Sequence, residues 1–483
     1  MKNILVLFLA MTFMLGGCGN YNKMSNSNPE EAITLSVWHY YGGTAQQTFE
    51  YLVQKFNQTV GEENNIIVES YSYSSVSELS IAIETSAANM TGASPMPSIF
   101  ASYSDSVIPL KEAGLIADLS NYFSQEELDM YYLHFIEEGK MQDDDSLWIL
   151  PIAKSTEILH INQTVFDEFA AQTDCTYDML ETWEGIVEVS ELYYEWTDNQ
   201  TDFAYDGSAF FGTDGIANFM IIGTKQLGND IFEMKNGVIT HNFTEEVARN
   251  IWEVYYVPFI KGYFSAEASY RSDDLASGEI VAYVGSTASS YYFPAQSQNE
   301  DGQYVDTICK TMTYPIFANG DAVAVQQGAG MVVSKSTPQV EEAAALFLKW
   351  FTEAENNCGF AVSTGYMPVK NEVLDIDVIL EEMARDGSID DSLPIIQATK
   401  SSYEQLEEYE LYTSIPFDGS ADAREILEYS LVDKISSDQE QIEKRISSDE
   451  IYQDIVDEFI AEENFQTWYQ DISAQLDDVI AGE

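Results

Sequence analysis

The sequence predicts an α/β protein of at least two lobes, and three observations carry that expectation. Strand-like and helix-like periodicities alternate over residues 33–101. The alternation resumes beyond residue 147. Once an N-terminal leader is set aside, roughly 450 of the 483 residues remain to fold, more than one hydrophobic core usually organises.

The leader comes first. Lys2 is followed by an apolar run from Ile4 to Leu15, broken only by Thr12, and then by Gly16-Gly17-Cys18. As a helix it would reach roughly 18 Å, short of the ~30 Å hydrocarbon core, so residues 1–17 read as a cleaved secretory signal. The small residues before Cys18 resemble a bacterial lipobox, in which the cysteine sulfur is lipidated and becomes the new N-terminus. Residues 18–30 then form a polar tether, which places the mature chain outside the cytoplasmic membrane on a lipid anchor at Cys18.

Ile33 to Trp38 alternates as a strand and runs into the loop His39-Tyr40-Tyr41-Gly42-Gly43. Phe49, Leu52, Val53 and Phe56 then keep helical spacing. Ile66–Tyr71 is a second strand, Val76–Met90 a helix, and Ser98–Ala101 a third, buried strand. These units predict a mainly parallel sheet, whose ligands bind at strand carboxyl ends, here Trp38 to Tyr41 and Ser102 to Asp105. A second region follows with strands at Glu157–Ile161 and Gly278–Gly285. Helices are expected at Gln163–Ala171, Thr182–Glu195 and Thr244–Tyr256. Val340–Thr352 is amphipathic, and Phe465, Trp468, Ile472, Leu476 and Ile480 mark a last helix.

A formal charge of −60 becomes −61 without the leader, which holds one lysine and no acid. With only six Lys or Arg beyond residue 370 and no basic stripe, nucleic acid is excluded as a partner. The acidity reads as a solvated surface that keeps an exported monomer soluble. A 45% hydrophobic and 13% aromatic content excludes disorder for most of the chain. Cys175, Cys309 and Cys358 are odd in number and widely spaced, as suits buried small side chains. No second apolar stretch is long enough to span a membrane. His39, His134, His160 and His241 are scattered and suggest no metal site. Asp143-Asp144-Asp145 lacks the EF-hand continuation and reads as a solvated loop. No cofactor motif occurs.

Several segments together resemble the family 1 extracellular solute-binding proteins, the substrate-capturing lipoproteins of bacterial carbohydrate ABC importers. They are Leu147-Trp-Ile-Leu-Pro-Ile-Ala-Lys-Ser-Thr-Glu157, Ile158-Leu-His-Ile-Asn162, Thr182-Trp-Glu184 and Gly278-Glu-Ile-Val-Ala-Tyr-Val-Gly-Ser286. Gln327-Gly-Ala-Gly330, Phe347-Leu-Lys-Trp-Phe-Thr352 and Ser363-Thr-Gly-Tyr-Met-Pro-Val369 complete the ordered set. The resemblance implies a two-lobed periplasmic-binding-protein-like fold with a hinge and an inter-lobe ligand cleft. It divides the chain into 31–150 with 322–368 and 151–321 with 369–483. It also implies an ABC permease as partner, no cofactor and no catalysis.

A sugar presents apolar C–H faces and a ring of hydroxyls, so its site needs aromatic platforms and convergent polar groups. Trp38, Tyr40 and Tyr41 lie at a strand's carboxyl end beside two glycines and are candidates on position alone. The glycerol-3-phosphate-binding branch of the family implies further cleft positions. They fall on Ser75, Ser104 or Asp105, Lys154, Ser155, Ser286, Thr287, Gly328, Tyr366 and Arg424. Arg424 could clamp a phosphate or carboxylate, or it and Lys154 could each neutralise a nearby acid. Ser104 departs from the branch, which carries a glutamate there, so a neutral sugar or oligosaccharide is favoured over a sugar-phosphate or glycerophosphodiester. A surface glycoside hydrolase, which needs two suitably spaced carboxylates, and an adhesin remain as alternatives.

Overall fold

A computed structural model describes residues 32–141, 145–299, 302–385, 390–446 and 450–482. The leader, Cys18, the tether, and Asp143 and Asp144 lie outside them.

The first body is built on a four-stranded sheet ordered Gly330–Val333, Ile99–Ser102, Ile33–His39, Ile66–Ser72. Its three N-terminal strands are parallel, because each is joined to the next through a helix that must cross over the sheet. Gly330–Val333 arrives from far along the chain and pairs antiparallel. The helix Gly43–Gln58 buries the predicted face, Phe49, Leu52, Val53 and Phe56. Phe49 and Phe56 meet Phe351 and Phe347 of the helix Pro338–Phe351 at ring separations of 5.3 and 5.1 Å. Such aromatic pairs add to the burial term.

The second body carries a sheet ordered Cys309–Met312, Glu157–Asn162, Ala282–Ser286, Phe211–Thr213. Here the expectation of a mainly parallel sheet fails. Glu157–Asn162 runs antiparallel to both its neighbours, and only Phe211–Thr213 with Ala282–Ser286 is parallel. All six residues of Glu157–Asn162 are buried, so the strand reads as a continuous run whatever the direction of its partners. The strand expected from Gly278 begins instead at Ala282, because Gly278 (φ +80°) closes the helix Arg271–Ser277 in the left-handed conformation. The helix expected to end at Tyr256 continues through a π-helical turn, Trp252–Tyr256, into Val257–Ile260. Pro258 has no N–H to return to the preceding turn, and the widened turn accommodates it.

Crossing segments lie side by side between the bodies. Leu150 bridges Met331, Ser155 bridges Gln327 and Lys154 bridges Met367. Beyond them, Val369 N–H donates to Asn357 Oδ1 at 2.8 Å, and the helix Ile376–Met383 packs on Ala354–Thr364 of the first body. The helix Pro394–Glu408 returns to the second sheet. The 27-residue helix Ser420–Ile446 then packs on Ile216–Gln226 and on the final helix Glu462–Ala481. That last helix buries Phe465, Trp468, Ile472 and Leu476 in the expected register. Cys175, Cys309 and Cys358 are buried and unpaired. Among the described residues no helix is long and apolar enough to cross a membrane.

Candidate functional site: the cleft between the two sheets

Both sheets point the same kind of edge at the cleft. The parallel strands of the first body end at His39, Ser72 and Ser102. Those of the second end at Thr213 and Ser286, beside the start of Glu157–Asn162, since Glu157 pairs with Ser286. Carboxyl-end loops from the two sheets therefore face each other, the usual place for a ligand in open α/β sheets.

On the first side the centre is a tyrosine cluster. The Tyr40 hydroxyl accepts from Ala329 N–H at 3.3 Å and hydrogen-bonds the hydroxyls of Tyr103 and Tyr366. Burial, and the neighbouring phenols, hold all three well above the ordinary tyrosine range, so they serve as neutral donors and acceptors. On the second side Asn218 links two charged groups. Its Nδ2 donates to Glu157 Oε1 at 2.6 Å, and its Oδ1 accepts from Arg424 Nη2. Gln327 Nε2, from a crossing segment, donates to the same Oε1 at 2.8 Å. Glu157 is 3% exposed, and burial raises its pKa from 4.5 to about 7 against the help of Asn218 and Arg424. Asp214, just past Thr213, is raised to about 6 by burial, although Arg271 N–H donates to it at 3.1 Å. The bodies touch at the rim, where Thr287 Oγ1 donates to Gly365 O at 2.9 Å and the Tyr291 hydroxyl donates to Val362 O at 2.6 Å.

The candidates taken from sequence divide into three groups. Tyr40 and Tyr366 join through their hydroxyls, and Arg424 on the second side acts electrostatically on Tyr103 of the same cluster. Trp38 lies beside them, mostly buried against Tyr73 at 5.3 Å. Ser104 and Asp105 open the helix Ser104–Glu112, with Ser104 in the wall of a cavity of about 200 Å³ that Glu138, Gln326 and Tyr412 also line. Ser286 caps the short turn Thr287–Tyr292. A second group is framework. Tyr41 is 3% exposed and packs on Phe49 and Phe360, because side chains alternate and its neighbour Tyr40 takes the cleft side. Lys154 is 2% exposed, with Nζ 2.5 Å from Glu138 Oε2 and 2.7 Å from Gly328 O, so it neutralises an acid. Ser155 is equally buried and pairs its backbone with Gln327. Gly328 (φ +96°) lets the crossing segments touch, since a Cβ there would sit 2.7 Å from Ala153 O. Thr287 is spent on Gly365. Ser75 stands apart, exposed, accepting from Glu78 N–H as a helix N-cap.

Tyr103, Asn218, Asp214, Gln327 and Glu157 were not singled out as site residues from sequence. Glu157 closes the Lys-Ser-Thr-Glu run, and a carboxylate opening a strand that continues Ile158-Leu159 is the signal available in the sequence.

The fold is that of known binding proteins. A cyclic α-maltosyl-1,6-maltose binding protein from Arthrobacter globiformis superposes with a TM-score of 0.65 at 14% identity, over 94% of this chain and 100% of that one. The GacH receptor of Streptomyces glaucescens, solved unliganded and with acarbose, gives 0.66 at 12%, over 93% and 100%. UgpB from Mycobacterium tuberculosis, in complex with glycerophosphocholine, gives 0.64 at 15%, over 93% and 98%. No curated protein sequence matches the chain. The profile of the bacterial extracellular solute-binding proteins matches residues 51–387, more than two thirds of the length. With two sheets facing across a hinged cleft, the chain belongs to that family.

Proposed function

We propose that the protein captures a sugar or oligosaccharide and delivers it to an ABC importer. The observation that carries this reading is the cleft itself, where neutral hydroxyls of Tyr40, Tyr103 and Tyr366 face Glu157, Asn218 and Arg424 across crossing segments that can act as a hinge. Ring hydroxyls need donors and acceptors of that kind, and aromatic edges supply the apolar contact. A ligand that touches both sides only in the closed form shifts the population toward closure, and an importer can read the closed lobes. The solved binding proteins of the same fold that hold maltose-type or cyclic saccharides support this reading.

The lobes are 31–150 with 322–368, and 151–321 with 369–483; the helix Ile376–Met383 packs on both Ala354–Thr364 and Pro394–Glu408. Trp38, Tyr40, Ser104, Asp105, Ser286, Tyr366 and Arg424 face the ligand. The chain is exported by residues 1–17 and held at the extracellular face of the cytoplasmic membrane through lipid on Cys18. There the anchor keeps the receptor concentrated beside its permease. The protein binds without turnover.

A glycerophosphodiester is the second reading. It rests on Arg424, whose guanidinium makes no ion pair among the described residues and donates only to Asn218. Calorimetry against saccharides and glycerol-3-phosphate separates the two. Saturable saccharide binding is expected, and hydrolysis with turnover would contradict the receptor reading.

A further inference from the structure

We propose that Glu157 is the specificity-determining group of the cleft, and that through Oε2 it takes the ammonium of an amine-bearing sugar. This rests on the saccharide reading above. Both amides that reach the carboxylate, Asn218 Nδ2 and Gln327 Nε2, go to Oε1. The turn at Gly215 closes on the same oxygen, since a Cβ there would lie 3.0 Å away. The side chain is thereby held in one orientation. Oε2 takes no hydrogen bond from the described residues, although the residue is only 3% exposed. A carboxylate oxygen this buried ordinarily has at least one hydrogen-bond partner.

The surroundings define what would complete it. From the helix Ser420–Ile446 come Arg424, which reaches Asn218 rather than Glu157, and Glu428, whose Oε2 accepts from Ala217 N–H at 2.8 Å. From the end of Phe211–Thr213 comes Asp214, which accepts from the Arg271 backbone N–H at 3.1 Å and lies 3.7 Å from the Arg271 guanidinium Nε. The phenol of Tyr314 lies near, neutral and held far above its usual range by burial. Three carboxylates thus share the space with two guanidiniums, of which Arg271 pairs with Asp214 and Asp274 and Arg424 donates its hydrogen bond to Asn218 rather than to Glu157. A sugar hydroxyl would fill the lone pair on Oε2 and leave the charge unmet. An ammonium does both, and hydrogen bonds between charged groups are about twice as strong as neutral ones. N-acetylation removes that charge while keeping the ring.

The test is titration calorimetry of the full chain at pH 7 with the β-1,4-linked glucosamine trimer, its N-acetylated form and maltotriose. Each is run in two buffers of different ionisation heat. The amine trimer is expected to bind roughly tenfold or more tighter than the N-acetylated one, the equivalent of one charged hydrogen bond. Its binding should release more protons from the wild type than from Glu157→Gln, because the cation draws the carboxylate into its ionised form. In Glu157→Gln the preference falls to within about threefold, with folding checked by circular dichroism. Equal or tighter binding of the neutral trimers by the wild type overturns the proposal while leaving the saccharide reading intact. So does a preference unchanged in the variant, or equal proton release by the two proteins. Binding of none of the three removes the saccharide reading itself.

Discussion

Two buried charges stand three residues apart on one crossing segment, and they are treated differently. Lys154 is fully compensated: its ammonium meets Glu138 Oε2 at 2.5 Å and Gly328 O at 2.7 Å, joining a helix of the first body to the next crossing segment. Glu157 is half compensated, with both amides on one oxygen and none on the other. Burying a charge is costly unless it is paired. The first site therefore reads as a structural tie at the hinge, and the second holds a capacity for something the chain does not supply. Burial alone would have ranked them together. The unspent oxygen separates them.

The largest effect that sharpens this contrast is expected at the tie. Lys154→Met leaves Glu138 buried without its partner and should lower the unfolding free energy by about 3–5 kcal/mol, read by urea denaturation. Glu157→Gln should act in the opposite direction. The Glu157 carboxyl is raised from 4.5 to about 7, so the folded state holds its proton more tightly than the unfolded chain. Stability from this group is complete below pH 4.5 and is lost as pH rises through 7. At pH 8 the isosteric amide, which can still accept from Asn218 and Gln327, should stabilise the protein by up to about 3 kcal/mol. It should also flatten the pH profile between 4.5 and 7. A destabilised Gln variant at pH 8 would show that the carboxylate is a structural tie like Lys154.

Smaller effects test the parts around this pair. Gly328→Ala forces a Cβ toward Ala153 O at a φ of +96° and should cost roughly 1–3 kcal/mol, measured by thermal unfolding. Tyr40→Phe removes the hydroxyl that joins Tyr103, Tyr366 and Ala329 and should weaken saccharide binding by about 1 kcal/mol, some fivefold. Tyr41→Phe, one residue on in the core, should leave the affinity unchanged. Calorimetry on the two single variants reads both.

Much of the scaffold was legible in the sequence, because one-sided burial imprints a period. The helix Gly43–Gln58 and the strands Ile33–His39 and Ile66–Ser72 show that imprint. Pairing direction leaves no such mark. The antiparallel neighbours of Glu157–Asn162 come from residues 282–286 and 309–312, and a strand buried on both faces looks the same beside either. The candidate site is legible by position where a loop follows a strand, as at Tyr40, and hidden where partners come from afar. Glu138 lies 16 residues from Lys154, and Gln327 lies 170 from Glu157. Nothing local told a spent charge from an open one. Tyr40 and Tyr41 looked alike for a simpler reason, since composition does not say which of two adjacent rings faces inward.

The most direct test is a crystal structure with the tightest-binding saccharide bound. The account predicts a ligand nitrogen or oxygen within about 3 Å of Glu157 Oε2, with the Tyr40, Tyr103 and Tyr366 hydroxyls on its other side and Lys154 still bonded to Glu138. A ligand seated away from Glu157, in the cavity beside Ser104 and Gln326, with Oε2 left bare, would contradict it.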